Sequence, residues 1–252
     1  MNIIVAFKVV PDDQDIQIAS DGSLDASKAH RIVSTYDLNA LEAAAQLGSS
    51  VEGSRVTAVT VGPRAIDDSK LKKNVLARGI DDLLMTADDA LANLDAHATA
   101  IELRKLVDRM DAWDIIVSGD GSADLYAQQV DVQLAACLDV PFVSAAISID
   151  VQDDAAVVRR LLETGIETVE VPLPAVVSVS PDIALPRICG MKDILAAGKK
   201  PSTVLAADDV PDASIEVVSE KAPEQADRKL QLFDAAEDGA FDQFVAAVKS
   251  AL

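Results

Sequence analysis

The stretch SGDGSADLYAQQVDVQLAACLDVP, residues 118–141, sets small, hydroxyl and acidic residues between an apolar run and a helical pattern. Gly, Ser and Asp in such a place either turn the chain or leave main-chain donors open to a ligand. Where the helix begins decides between these uses. A start at Ser122 or Asp124 consumes the amides of Gln128, Gln129 and Val130 inside the helix, whereas a start near Ala127 leaves them as free donors suited to a phosphate. Periodicity permits both. Ala127, Val130, Leu134 and Cys137 share one face, which fits a core-facing helix from about 127 and places Gln128 and Asp131 toward the open side. Two further strand ends complete a composite pocket, Ala6-Phe7-Lys8 and Val61-Gly62-Pro63, the second of which also reads as a plain turn. Neither a Walker A nor a GxGxxG pattern is present, so the generic phosphate signal is weak.

Residues that could break bonds are scarce. The two histidines, His30 and His97, lie in polar surroundings and read as solvated residues. The acidic pairs, such as Asp67-Asp68 and Asp88-Asp89, read as loops and helix N-termini of an acidic chain. Cys137 and Cys189 are far apart and lack the spacing of a zinc site or a disulfide framework. No residue is assigned a catalytic role and no metal site is expected, so the chain is expected to bind and position a group whose chemistry is carried elsewhere.

The elements that must position these strand ends follow an alternating pattern. NIIVAFKVV reads as a buried first strand, and DIQIASDGSLD as a hairpin about Asp21-Gly22. YDLNALEAAAQLG reads as a helix with Asp37 as a possible N-cap and Gly48 just past its end. SRVTAVTVGP, DDLLMT and DIIVSGDG are strands, separated by helices ending at Gly79 and carrying Leu103, Leu106, Val107 and Met110 on one stripe. This pattern predicts an α/β fold with a doubly wound, mostly parallel sheet and ligands at the carboxyl ends of its strands. From residue 142 the runs VPFVSAAISIDV, AAVVRRLL, IETVEVPLP and AVVSVSP read as a short antiparallel or mixed edge with a turn at Thr164-Gly165. Residues 1–200 are expected to form one domain. Residues 201–252 are expected to form an extended C-terminal arm ending in a helix whose Phe241, Phe244, Val245 and Val248 need a surface to lie on.

Half of the residues are apolar and only 3% are aromatic, which suits parallel strands covered by small-residue helices. A net charge of −20 repels phosphodiester backbones and anionic lipid, so proteins and small molecules are the expected partners, with no nucleic acid and no stable membrane association. The first apolar run is too short to span a membrane and lacks a signal-peptide pattern, so a cytoplasmic, non-exported protein is expected.

Several stretches together resemble the β subunit of electron transfer flavoproteins, in particular the Fix-type group. They are IIVAFKVVPDDQDIQI, DGSLD, STYDLNALEAAAQL, TAVTVGPRA, VLARGIDDLL, GDGSADLYAQQV, VRRLLETGIETVEVPLPAVVSVSPDIALPR and MKDILAAGKKP, in order over about residues 2–201. The resemblance implies a heterodimer whose α subunit holds most of an electron-transferring FAD at the interface. It implies a second adenine nucleotide on this chain, AMP in simple carriers and a second FAD in electron-bifurcating ones. Carried over, its contacts would be Ala6, Phe7, Lys8, Val61, Gly62, Asp124, Gln128, Gln129 and Val130. Asp131 stands where relatives commonly have Gly, adding a negative charge that opposes a phosphate beside it. PRICGMKDIL aligns with the loop by which the family docks on a partner dehydrogenase, with Met191 at the anchor position and Ile188 and Ile194 beside it. The arm would wrap the α subunit.

The implied function is electron carriage between an acyl-CoA dehydrogenase-like flavoprotein and an acceptor. Two alternatives are a bifurcating subunit whose second FAD accepts hydride from NADH, and a non-redox module that senses an adenine nucleotide.

Overall fold

The computed structural model describes residues 1–224 and 230–251. In chain order the elements are β1 (Asn2–Ala6), β2 (Val9–Pro11), β3 (Gln17–Ile18), β4 (Leu24–Asp25), β5 (Arg31–Val33), α1 (Thr35–Ser50), β6 (Arg55–Gly62), α2 (Ser69–Leu76) and β7 (Asp82–Ala87). They continue as α3 (Ala96–Val107), β8 (Ile115–Gly119), α4 (Val130–Leu138), β9 (Phe142–Gln152), β10 (Ala155–Leu162), β11 (Gly165–Pro172), β12 (Ala175–Val179), α5 (Met191–Ala197), β13 (Ser202–Leu205) and α6 (Ala240–Ala251).

The chain divides into two compact units, one of Met1–Gln17 with Asp25–Ser219, the other of Ile18–Leu24 with the chain from Glu220 onward. The first holds a nine-stranded sheet in the order β11-β10-β9-β12-β8-β1-β6-β7-β13. From β9 to β13 along that order every pairing is parallel, and β10 and β11 add an antiparallel edge. Alternate residues of each strand serve opposite faces. Ile3 and Val5 belong to the core cluster that includes residues of α1 and α2, while Ile4 and Ala6 belong to a second cluster with Leu103, Leu106 and Leu134 of α3 and α4. Burial on both faces explains why the central strands are continuous apolar runs rather than alternating ones.

Four local readings change. NIIVAFKVV is two strands: β1 stops at Ala6, and Val9–Pro11 leaves the sheet to pair antiparallel with β5. Gly48 lies inside α1 and does not end it, because a Cβ there would come 2.6 Å from Val56 Cγ2, so glycine lets the helix lie close on β6. Ser34 takes the N-cap position of α1, and Asp37 is a buried residue of its first turn. β12 is not part of the antiparallel edge; it inserts in parallel between β8 and β9. All five of its residues, Ala175-Val-Val-Ser-Val, are buried, as expected for an interior parallel strand.

β13 pairs with β7 immediately after residue 201 and ends the sheet. The chain beyond it is fastened to α3: Lys105 Nζ donates to the Asp208 and Asp209 carbonyls at 2.7 and 2.8 Å, and Asp95 Oδ2 accepts from the Ser214 amide at 2.7 Å. In the second unit Gly22 turns its loop at φ +81°, and Ser23 bridges Lys221. There α6 follows Gly239, with Phe233 packed edge-on against Phe244 at 5.8 Å while Phe241 and Val248 stay exposed. Residue 252, included by sequence in the last helix, and residues 225–229 of the arm lie outside the described residues.

Candidate functional site

β6, β1 and β8 are neighbours in the sheet, so Gly62, Ala6 and Gly119 end on one edge. Asp37, from the first turn of α1, ties that edge together. Its Oδ2 accepts the Lys8 amide at 2.7 Å and its Oδ1 accepts the Gly119 amide at 3.0 Å. Burial pushes the Asp37 carboxyl up to about 7, against the lowering effect of those two amides. Gly119 has no room for a side chain: a Cβ there would lie 2.7 Å from Asp37 Oδ1 and 2.9 Å from the Tyr36 carbonyl carbon. Ser34 Oγ accepts the Ala123 amide at 3.2 Å. The start of α1 is therefore a wall of the site, which the sequence reading missed. Its signal was the acidic residue in an otherwise apolar helix face, read as a cap.

The loop between β8 and α4 is held by side chains. Asp124 Oδ1 accepts from Ser122 Oγ at 2.5 Å and from the Leu125 amide at 2.8 Å. Its Oδ2 pairs with Lys8 Nζ at 2.6 Å. Burial raises the Asp124 carboxyl, but Lys8 and Ser122 outweigh it and hold it below the usual range. Tyr126 lies against Tyr36 with ring centroids 4.9 Å apart, and its ring fills the space that a side chain at Gly121 would need. Tyr126 at φ +45° and Gln128 at φ +55° occupy the left-handed region that side chains other than glycine enter at a cost.

α4 begins at Val130, with Gln129 at the N-cap making no side-chain capping bond. Among the described residues, the amides of Ala127, Gln128, Gln129 and Val130 donate to no protein group, while the Asp131 amide serves its own carboxylate. The later helix start is thus the one that the chain adopts, and it leaves a run of main-chain donors at the positive end of a helix dipole. Gln128 and Gln129 are exposed, as the periodicity placed Gln128. Asp131 is different: it is only 7% exposed, and burial pushes its carboxyl up despite the Val132 amide at 2.9 Å. Asp131 faces inward because it lies three and four residues before the buried Leu134 and Ala135 and so shares their face, while Ala127 stands outside the helix and is exposed. Next to the loop, burial raises Asp120, whose Oδ2 accepts from Tyr126 Oη at 3.2 Å while its buried Oδ1 has no partner among the described residues. His97 and Gln133 meet at 3.0 Å beside Gln129.

The Lys8–Asp124 pair joins the end of β1 to the loop that leads on to Gln128, Gln129 and Val130, and Val61 and Gly62 end the neighbouring β6. The edge is open. Two hollows, of about 680 and 280 Å³, lie elsewhere, the first between Arg31, Thr35 and α2, the second between α1 and β9. No group of three or more His, Cys, Asp or Glu suited to a metal ion occurs among the described residues.

A family model described as the electron transfer flavoprotein domain matches residues 21–210. The chain belongs to the electron transfer flavoprotein family. The matched span contains α1, the end of β6, the loop before α4 and the free amides. As a member of this family the chain is associated with flavin and electron transfer, and the family match suggests heterodimeric partnering. No helix among the described residues is long and apolar enough to cross a membrane.

The electron transfer flavoprotein domain also includes the segment after β12. There Met191 opens α5 and is 74% exposed, Ile188 is 99% exposed and Leu185 is 89% exposed, with Ile194 and Leu195 continuing the patch. Met191 therefore projects from the surface and takes no part in the core. Cys189 and Cys137 are free thiols.

Proposed function

We propose that this chain is the β-type, Fix-like subunit of a heterodimeric electron transfer flavoprotein and that the edge around α4 holds an adenine nucleotide, AMP or a second FAD. The observation that carries this reading is the run of amides from Ala127 to Val130, unpartnered among the described residues, in the loop that follows β8. Their hydrogens and the helix dipole suit a phosphate. Asp120 Oδ1, buried without a donor, is an acceptor of the kind a ribose hydroxyl satisfies. Asp131 is buried and turned away from the open edge, and burial raises its carboxyl. Val61 and Gly62 offer main-chain edges to the base.

Residues 1–200 act in this reading as the nucleotide-binding domain and residues 201–252 as the arm that packs on an α subunit holding the interface FAD. Bound there, the flavin supplies the one- and two-electron chemistry. This chain binds and orients, and its patch at Leu185, Ile188, Met191 and Ile194 meets an acyl-CoA dehydrogenase-like flavoprotein. The absence of a credible nucleophile or base in the sequence agrees with a carrier role.

The test is co-expression with the partner subunit, followed by mass spectrometry and absorbance of the ligands released on denaturation. One adenine nucleotide per chain beyond the interface flavin is expected. A heterodimer that releases a single flavin and no further nucleotide contradicts the reading.

A further inference from the structure

The segment from Pro181 to Gly190 has a locked backbone and outward apolar side chains. Asn39 Nδ2 donates to the Pro181 and Ala184 carbonyls at 3.1 and 2.8 Å. Three residues further along α1, Glu42 is 6% exposed and takes the Arg187 guanidinium in a fork, Nε to Oε2 at 2.6 Å and Nη2 to Oε1 at 3.0 Å. The Arg187 amide adds a bond to Oε2 at 3.2 Å, and Gln46 adds one to Oε1 at 2.9 Å, so each carboxylate oxygen accepts twice. From the other side, Arg78 Nη1 donates to the Arg187 carbonyl at 2.8 Å. Space is reserved as well: a Cβ on Gly79, at φ +87°, would come 2.8 Å from Arg187 Nη1.

Arg187 is thus fixed through its side chain, its amide and its carbonyl, and it directly precedes the most exposed apolar side chain of the loop, Ile188. Ordinary surface loops hide their few apolar residues and leave the backbone to solvent; here the arrangement is reversed. Burial raises the Glu42 carboxyl, but the bonds from Arg187 and Gln46 outweigh it and keep the carboxylate charged. A bidentate, half-buried pair of this kind fixes direction as well as position.

We infer that Glu42 and Arg187 are positioning residues for partner docking: their forked ion pair aims Leu185, Ile188 and Met191 as a preformed apolar knob for a matching socket on the electron-donating flavoprotein. This rests on the docking part of the function proposed above. A preformed knob loses little conformational freedom on binding, so loosening it weakens association while leaving the redox step of the bound complex alone.

The experiment measures steady-state electron transfer from a purified acyl-CoA dehydrogenase, reduced by its acyl-CoA, to the complete heterodimer with a dye as final acceptor. Glu42→Gln keeps the size and removes the charge, and Arg187→Lys keeps the charge and removes the fork. A rise in KM for the dehydrogenase of about tenfold is expected, with kcat and bound nucleotide unchanged. Arg78→Gln, which removes one bond to the Arg187 carbonyl, is the milder variant should the others fold poorly, and a smaller rise in KM is expected of it. Ile188→Ala, at a solvent-exposed position, reports whether the loop docks at all. If Ile188→Ala raises KM while folded clamp variants leave it unchanged, the positioning role is overturned and the docking reading stands. If Ile188→Ala leaves KM unchanged, or the wild type draws no electrons from the dehydrogenase, the docking reading falls and the inference with it. A lower melting temperature with KM and kcat unaltered assigns the pair a structural role only.

Discussion

Asp37 bonds two strand ends from a buried position with its carboxyl pushed up to about 7, so its ionisation is linked to folding. An unfolded chain releases this proton near the ordinary carboxylate value of 3.8, whereas the folded chain keeps it until about 7. The folded state therefore holds the extra proton between those values, and stability falls as pH rises through that window, by up to about 1.4 kcal/mol per unit. Asp37→Asn cannot ionise and sets a donor nitrogen, in place of an oxygen, against one of the two amides. It is expected to destabilise the fold by about 1–3 kcal/mol near pH 4–5 and to flatten the slope of stability between pH 4 and 7, both measurable by denaturant titration. An unchanged slope contradicts the assignment. The sequence showed that residue 37 was acidic and near a helix start, but it could not show that the helix starts at Thr35 or that Gly119, far along the chain, supplies the second amide. Asp131 was misplaced because the apolar face was drawn through Ala127, which stands outside the helix, whereas the buried face runs through Leu134 and Ala135, which Asp131 precedes by three and four residues.

At the level of elements, the doubly wound sheet was legible because buried parallel strands are written as apolar runs, and the helices between them as stripes ended by Asp caps and Gly79. The free amides before α4 were legible only as one of two alternatives, since local sequence does not say whether a Gly-Ser-Asp loop is taken up by a helix or stands outside it. Tyr126 and Gln128 settle that locally by adopting positive φ, which no helix continues through. β12 was misread because its partners, β8 and β9, are set by topology. Gly119 is the joint on which this edge depends. Gly119→Ala places a Cβ against Asp37 Oδ1 and the Tyr36 backbone, and it is expected to weaken AMP or FAD binding by tenfold or more in calorimetric titration of the ligand-stripped heterodimer. Wild-type affinity in a folded Gly119→Ala variant contradicts the placement of the site.

For the whole molecule, 42 acidic against 22 basic residues give a charge of −20, and self-repulsion on that scale opposes the compact state. Screening shortens from about 10 Å at 0.1 M salt to about 3 Å at 1 M, so the melting temperature is expected to rise by several degrees between 0.1 and 2 M KCl. A flat or falling trend contradicts this. The charge also explains why the exposed aromatic residues of α6, Phe241 and Phe244, are notable: in so acidic a surface they mark a face that the function proposed here assigns to the partner subunit. The central claim concerns the donors at the start of α4, and amide hydrogen exchange reads them directly. In the ligand-stripped heterodimer, peptides covering residues 127–131 are expected to exchange fast and to slow markedly when AMP or FAD is added. Exchange at these amides that is already slow without nucleotide, or that nucleotide leaves unchanged while protecting another region, contradicts the account.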